Sequence, residues 1–218
     1  MQFNPLRRYA DMYIQKGLSR MKRGWCLLLA CVLCAVCCIG LADEAYQRGL
    51  AFLEEGRYYS AFEAFSESDD DRAPAQAEAC EQPWPKNGEV WRGENVKYGS
   101  MELTIEVNQS EDVAYLARIY KGTKLVSCVF IGGTGKVTVQ LPGGVYMIKD
   151  GTGRHWYGVQ EAFGKYASYE IMTFDDEGTQ KVPLEANHGY ILTVNVTQSD
   201  AAGDIVGAED TSWEEFME

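Results

Sequence analysis

Between residues 101 and 197, apolar and polar residues alternate in short runs that glycine-containing turns separate. In the segment MELTIEV, for example, Leu103, Ile105 and Val107 alternate with polar residues. A period of two is typical of strands with one buried face, and frequent turns between such runs indicate an all-β domain. We therefore predict an antiparallel β-sandwich. Its expected strands cover about 101–107, 113–121, 125–131, 137–141, 145–149, 169–174 and 190–197.

The segment Leu141–Gly164, LPGGVYMIKDGTGRHWYGVQEAFG, combines two turn signals with several aromatic residues. Pro142, Gly144 and Tyr146 have the form P-x-G-x-Y. This form is similar to a corner in extracytoplasmic β-sandwiches of the carboxypeptidase regulatory-like and prealbumin-like kinds, in which the turn starts a strand and the tyrosine packs beside it. The resemblance implies an immunoglobulin- or prealbumin-like sandwich with these three residues marking a corner.

Two further motifs, Trp156-Tyr157-Gly158 and Phe163-Gly164, extend this resemblance. Together with the corner they look like an uncharacterised domain of secreted Gram-positive bacterial proteins, in which repeat-like helices precede the β domain. The resemblance covers roughly residues 44–197. It implies a fold and a location outside the cytoplasm, but it brings no established activity.

Trp156, Tyr157 and Phe163 follow a glycine turn and are the candidate ligand-binding residues of this sequence. Flat apolar rings at the rim of a sandwich bind sugars or peptides at little entropic cost. The alternative is a plug that closes the open end of the core, and this alternative is favoured because aromatic residues are more often buried than functional.

An uncharged apolar run, Trp25–Ala42, follows Lys22-Arg23 and precedes Asp43-Glu44. A basic start, an apolar centre and small residues before the break are typical of a secretory signal, and cleavage after Ala42 is the preferred interpretation. With 18 residues the run is also just long enough for an uncleaved membrane anchor. Leu28–Cys31 additionally resembles a bacterial lipobox. All three interpretations place the rest of the chain outside the cytoplasm.

Five of the seven cysteines lie in this apolar run, where no ordered set of thiolates is available to a metal. Only Cys80 and Cys128 follow it. Outside the cell the two can form a disulfide, and the sequence leaves open whether they pair or stay free.

The segment after Asp43 has helical periodicity in two short pieces, at about 44–55 and 59–68, broken at Gly56. Its small, aromatic and turn residues resemble a tetratricopeptide repeat followed by a partial third helix. The resemblance implies a spacer or a peptide-binding hairpin, and a lone repeat favours the spacer. The expected organisation is an export segment (1–42), a helical hairpin (43–82), a linker (83–100), a β-sandwich (101–197) and a disordered acidic tail (198–218).

The charge balance argues against nucleic-acid binding. The chain has 32 acidic and 20 basic residues, and six of the basic ones precede Ala42. The remainder would therefore repel a phosphate backbone.

No catalytic, cofactor or metal motif is recognisable, so we expect no enzyme activity, no cofactor and no metal site. The segment Gly132–Lys136 lacks the spacing of a phosphate loop and is a turn. His155 and His188 belong to no motif, and Asp69–Asp71 lacks the spacing of a calcium loop.

The sequence thus predicts a non-enzymatic binding or scaffolding protein outside the cytoplasm, at the bacterial cell envelope. Its expected partner is a protein or a glycan, with membrane contact through residues 25–42 if they are retained. The alternatives are a carbohydrate-binding module that uses an exposed aromatic patch and, after it, a small hydrolase.

Overall fold

The structure is a computed structural model and describes residues 44–175, 177–195 and 207–218. The expected export segment lies outside the described residues. Within those ranges, no helix has both the length and the apolar character that crossing a bilayer requires.

Three short helices open the described chain. Helix α1 covers residues 44–54, α2 covers Tyr58–Ser66 and α3 covers Ala73–Cys80. Gly56, with a φ of 72°, ends the first helix as expected of a left-handed cap. The helices lie where the periodicity predicted them, while the resemblance to a tetratricopeptide repeat stays a prediction.

Within the described residues, ten strands follow in two sheets. They are β1 (Gly88–Arg92), β2 (Met101–Asn108), β3 (Ala114–Lys121), β4 (Lys124–Gly132), β5 (Gly135–Leu141), β6 (Gly144–Gly153), β7 (Ser168–Thr173), β8 (Val182–Leu184), β9 (Gly189–Asn195) and β10 (Gly207–Asp210). The large sheet has the order β1-β4-β3-β6-β7-β10, with β8 also paired to β6, and the small sheet has the order β5-β2-β9. Neighbouring strands are antiparallel except β2 and β9, which are parallel.

The two sheets face each other across an apolar core. Alternate residues of β2, including Leu103, Ile105 and Val107, are buried there against Tyr115, Ile119 and other residues of the large sheet. The mainly β, sandwich-like fold predicted from the alternation is therefore confirmed. All seven predicted strands are present, within a few residues of the predicted bounds.

The large sheet is also covered on its outer face, which explains why β3 and β4 are buried along almost their whole length. The cover consists of the loop between β6 and β7 and of a C-terminal helix, α4 (Trp213–Met217). Strands with both faces covered lose the period of two and become continuously apolar.

The P-x-G-x-Y corner lies where β5 ends and β6 begins at Gly144. The Tyr146 hydroxyl donates a hydrogen bond to the carbonyl of Pro142, and the ring of Tyr146 is fully buried. The tyrosine therefore fixes the direction in which the chain leaves the turn.

The predicted linker and tail need correction. Residues 88–92 form β1, which pairs with β4, and residues 207–218 contain β10 and α4 instead of being disordered. In the tail, Phe216 is fully buried on the outer face of the large sheet. The acidic composition predicts an unfolded tail. Burial of this ring and pairing with β7 offset the conformational entropy that the tail loses when it folds.

Two buried basic residues hold α4 against the sheet. Arg118 donates a 3.3 Å hydrogen bond to the carbonyl of Met217, and Lys149 donates to the carbonyl of Glu215. Desolvation lowers the pKa of Lys149. The last carbonyls of a helix carry partial negative charge, so these cations contact the end of the helix that favours them.

Both cysteines of the described chain are free and buried. Burial raises the pKa of Cys80 to about 11 and that of Cys128 to about 12. Because the thiolate is the reactive form, we expect neither residue to react with iodoacetamide in the folded protein and both to react after denaturation. Mass spectrometry of the labelled peptides measures this, and rapid labelling of Cys128 in the native state would contradict the buried position.

Candidate functional site

An open groove runs between helix α2 and the end of the sandwich. It encloses a cavity of about 620 Å³. We call it the helix–sandwich groove; it is lined by Tyr59, Phe62, Glu81, Val113, Thr152, Gly153, Arg154, His155, Tyr157, Phe163, Tyr166, Ala167 and Ser168. Residues of both parts of the molecule therefore form its walls.

Aromatic contacts build the floor of the groove. Tyr59 and Phe62 lie one turn apart on the same face of α2, and both contact Tyr157 of the β6–β7 loop. The ring centroids are 5.1 Å apart for Tyr59 and Tyr157, and 5.8 Å apart for Phe62 and Tyr157. Tilted and edge-on pairs at these distances add to the stabilisation from burial.

Glu161 of the same loop clamps α2 in place. Its carboxylate accepts hydrogen bonds from the backbone N–H groups of Tyr59 and Ser60, at 2.6 and 3.1 Å, and from the Ser60 hydroxyl at 2.5 Å. Arg57 approaches it at 3.6 Å. Arg57 at the N-cap position makes no side-chain cap, so Glu161 takes over the capping of the helix from another part of the chain.

The loop conformation that permits this contact depends on Gly164, which has a φ of 73°. A Cβ atom at this position would lie 2.3 Å from the ring of Tyr59. A side chain at 164 would thus be strained in its backbone and would also displace a wall of the groove.

Two exposed polar contacts lie at the mouth of the groove. His155 Nδ1 lies 2.9 Å from Glu81, and Arg154 lies 2.9 Å from Asp112. A hydrogen bond from Ser110 and then the charge of Arg154 lower the pKa of Asp112. These polar groups surround an apolar interior, an arrangement that orients a ligand while the interior supplies contact area.

The structure corrects one expectation about the aromatic candidates. Trp156 is 4% exposed and packs against Phe130 at 5.0 Å and Phe163 at 5.4 Å, so its ring is not an exposed platform for a ligand. Tyr157 and Phe163 are 6% and 5% exposed and border the groove. Burial of all three rings agrees with the plug interpretation, because Trp156 and Phe163 close the outer core of the large sheet and Tyr157 packs in the cluster formed by the helices.

Sequence reasoning missed Tyr166 and Glu161. Tyr166 is 88% exposed at the groove and is the most exposed large apolar side chain among the described residues. It lies two residues after the F-G motif, but nothing in the sequence distinguishes an exposed tyrosine from a buried one. Glu161 looks like any other acidic residue of an acidic chain, because its partners on α2 are about 100 positions away.

The two histidines do not meet in a shared site. His155 pairs with Glu81, whereas His188 lies near Glu185 and the ring of Tyr190. Over the described ranges, no three His, Cys, Asp or Glu side chains come together in an arrangement that would hold a metal ion.

Taken together, these features define a β-sandwich protein with an N-terminal helical segment and an aromatic groove between the two. The chain matches no protein-family model and no curated protein. Among solved structures it is similar to a Klebsiella pneumoniae 5-hydroxyisourate hydrolase, with 10% identity and a TM-score of 0.23 over 55% of this chain and 98% of that one. At this TM-score the similarity carries no argument about activity, and no residue role is taken from it.

Proposed function

We propose that this protein is a non-enzymatic binding or scaffolding protein outside the cytoplasm, at the bacterial cell envelope. Its ligand is a segment of a partner protein that inserts an apolar side chain into the helix–sandwich groove. The observation that carries this proposal is the open, aromatic-walled cavity of about 620 Å³ with Tyr166 exposed at its mouth.

The chemistry of the walls supports an apolar anchor. Phe62 and the exposed Tyr166 offer ring surface, and a groove of this size accommodates one or two large side chains. Binding energy in protein interfaces concentrates in a few such anchors that fill pockets and exclude water. Exposed tyrosine is also enriched at such interfaces, because its ring gives contact area and its hydroxyl remains hydrated.

The charge of the chain supports a basic partner segment. The formal net charge is −12, with 32 acidic against 20 basic residues. A partner with lysine or arginine beside its apolar anchor would be attracted over a distance of about a Debye length and would associate faster at low salt.

The location rests on the sequence. The apolar run Trp25–Ala42 after Lys22-Arg23 has the features of an export signal or anchor. The expectation that the protein is not an enzyme also rests on the sequence, in which no catalytic motif is recognisable.

Substitution of Tyr166 by alanine tests the proposal. Selection on the folded protein with a phage-displayed library of random peptides is expected to yield sequences that combine an aromatic or aliphatic anchor with basic residues. Tyr166→Ala should weaken their binding by about tenfold, since it removes one exposed aromatic contact. Its matched control is Tyr98→Ala, because Tyr98 is also exposed, at 72%, and does not line the groove.

The two variants separate the possible outcomes. Equal loss of binding in both, or none in either, would show that the peptides bind elsewhere. Selection of no peptide, combined with binding of a glycan array that Tyr166→Ala abolishes, would replace the protein partner with a carbohydrate that stacks on Tyr166 instead of Trp156.

A further inference from the structure

The C-terminal helix α4 presents two aromatic rings to the rest of the molecule. Ser212 caps this helix by accepting a 3.1 Å hydrogen bond from the backbone N–H of Glu215. Trp213 and Phe216 are three positions apart and therefore lie on the same face of the helix. That face points toward the large sheet, because Phe216 is fully buried there. Trp213 is half-buried beside it.

Trp213 connects two apolar clusters that are otherwise separate. Within the described residues, it is the one side chain that packs against both the cluster on the outer face of the large sheet and the cluster of the helices. Phe216 belongs to the first cluster and Tyr59 to the second. A side chain of the tail therefore links the sandwich to the helical segment.

The contacts of Trp213 with the helical segment and with the β6–β7 loop are specific. Its ring lies edge-on to that of Tyr59, with the centroids 5.5 Å apart, and its Nε1–H donates a 3.2 Å hydrogen bond to the carbonyl of Glu161. Tyr59 lines the helix–sandwich groove, and the carboxylate of Glu161 accepts hydrogen bonds from the start of α2. Trp213 therefore contacts both partners of the clamp that joins α2 to the loop.

Tyr59 is held between two rings. Tyr157 of the β6–β7 loop lies 5.1 Å from it and Trp213 lies 5.5 Å from it, centroid to centroid. Protein interiors are closely packed, so removal of one of these rings gives Tyr59 space to move. Because Tyr59 lines the groove, the shape of the groove depends on whether the tail is docked.

The tail can leave without unfolding the core between the sheets. In the described sheet β10 is the outermost strand, with four residues, and α4 has five. Phe216, the pairing of β10 with β7 and the hydrogen bonds from Arg118 and Lys149 hold the tail in its docked state. Short elements at a chain end open at a lower free energy than the core does. The docked and the detached tail are therefore two accessible states.

We infer that the C-terminal tail regulates the helix–sandwich groove, with Trp213 as the positioning residue that couples the two. The docked tail holds Tyr59 and the β6–β7 loop in the geometry that accepts the apolar anchor of a partner segment, and detachment of the tail releases them. Coupling is reciprocal, so a bound partner segment stabilises the docked tail by the same factor. This inference rests on the proposed partner binding and adds its control by an element outside the groove.

Peptide binding to tail variants tests the coupling in one direction. Phe216 holds the tail but does not line the groove. For a peptide from the phage selection, we expect about fivefold weaker binding to Phe216→Ala and to Trp213→Ala. Trp213→Phe keeps a ring beside Tyr59 but removes the hydrogen-bond donor, so its affinity should lie between those of Trp213→Ala and the wild type. Glu214→Ala, at an exposed position of the same helix, is the matched control and should bind like the wild type.

Hydrogen exchange tests the coupling in the other direction. Saturating peptide is expected to slow the exchange of residues 207–218 about fivefold in the wild type and to have no such effect in Trp213→Ala. A tail with a purely structural role would not respond to the peptide. Unchanged peptide affinity in both Phe216→Ala and Trp213→Ala would overturn the coupling while leaving the proposed partner binding intact.

Exchange without a peptide separates failure of the coupling from failure of the proposed function. Selection of no peptide would contradict the proposed partner binding, and the coupling of the tail to α2 would then be decided by Phe216→Ala alone. Exchange of residues 58–66 should accelerate more in this variant than exchange of strand β2, because global unfolding would accelerate both equally. Equal exchange of residues 58–66 in Phe216→Ala and the wild type would overturn the coupling.

Discussion

Replacing Glu161 by alanine is expected to loosen the helical segment from the sandwich and to lower the free energy of unfolding by about 3 kcal/mol. The carboxylate is 3% exposed and accepts two backbone hydrogen bonds and one hydroxyl hydrogen bond from the start of α2. Without it, the N–H groups of Tyr59 and Ser60 would be left buried without an acceptor. That loss costs more than a deleted surface contact.

Urea unfolding followed by tryptophan fluorescence measures the loss of stability. Hydrogen exchange of residues 58–66 measures the local effect and should accelerate most there. Glu161→Gln keeps one acceptor oxygen but removes the charge, so we expect a loss of stability smaller than that of Glu161→Ala. Glu94→Ala is the matched control, because Glu94 is an exposed glutamate outside any strand or helix. Unaltered exchange of α2 in Glu161→Ala would contradict the clamp.

Replacing Phe216 by alanine is expected to detach the C-terminal segment and to cost about 3 kcal/mol, at the lower end for a buried phenylalanine. The ring is fully buried and lies 4.5 Å, centroid to centroid, from that of Tyr169. The loss of stability is limited because α4 and β10 can detach together. No cavity then remains under α4 where the ring was.

Limited proteolysis combined with thermal melting distinguishes detachment from global unfolding. Cleavage after residue 206 should accelerate strongly in Phe216→Ala, while a protected fragment of the sandwich remains. Glu214→Ala alters an exposed residue of the same helix and should leave the cleavage rate unchanged. Equal cleavage of wild type and Phe216→Ala would show that the ring does not anchor the tail.

The sequence predicted those parts of the fold whose signal is local. The alternation in β2 and β9 and the periodicity of α1 and α2 reflect which side of each element is buried, and a short window reveals that side. The corner at Pro142 to Tyr146 was likewise visible because turn, strand start and tyrosine lie within five positions.

The parts that were missed depend on distant partners. Strand β1 lies in the predicted linker because Pro83 and Pro85 precede it and Gly88 is its first residue, and its existence depends on the free edge of β4. The acidic composition of the tail predicts disorder, whereas one ring, Phe216, packs in the cluster formed by β3, β4 and β7.

The exposure of the candidate site residues also depends on partners that are distant in sequence. The aromatic residues of the β6–β7 loop were recognised as a group, but their exposure depends on the helices and on α4, which pack on either side of them. Trp156 is therefore covered, while Tyr166 is exposed although it lies in the same loop.

The parallel pairing of β2 with β9 has a consequence for the order in which this chain folds. Glu102 lies opposite Gly189, so β2 obtains its second neighbour only after almost ninety further residues have been synthesised. Contacts this remote in sequence slow folding, because the chain loses the entropy of closing the intervening loop before the stabilising contacts form. We expect the small sheet to stay unfinished until β9 has been synthesised. During that interval the exposed edge of β2 is the part of the chain most prone to aggregate, so protection by a chaperone would matter most then.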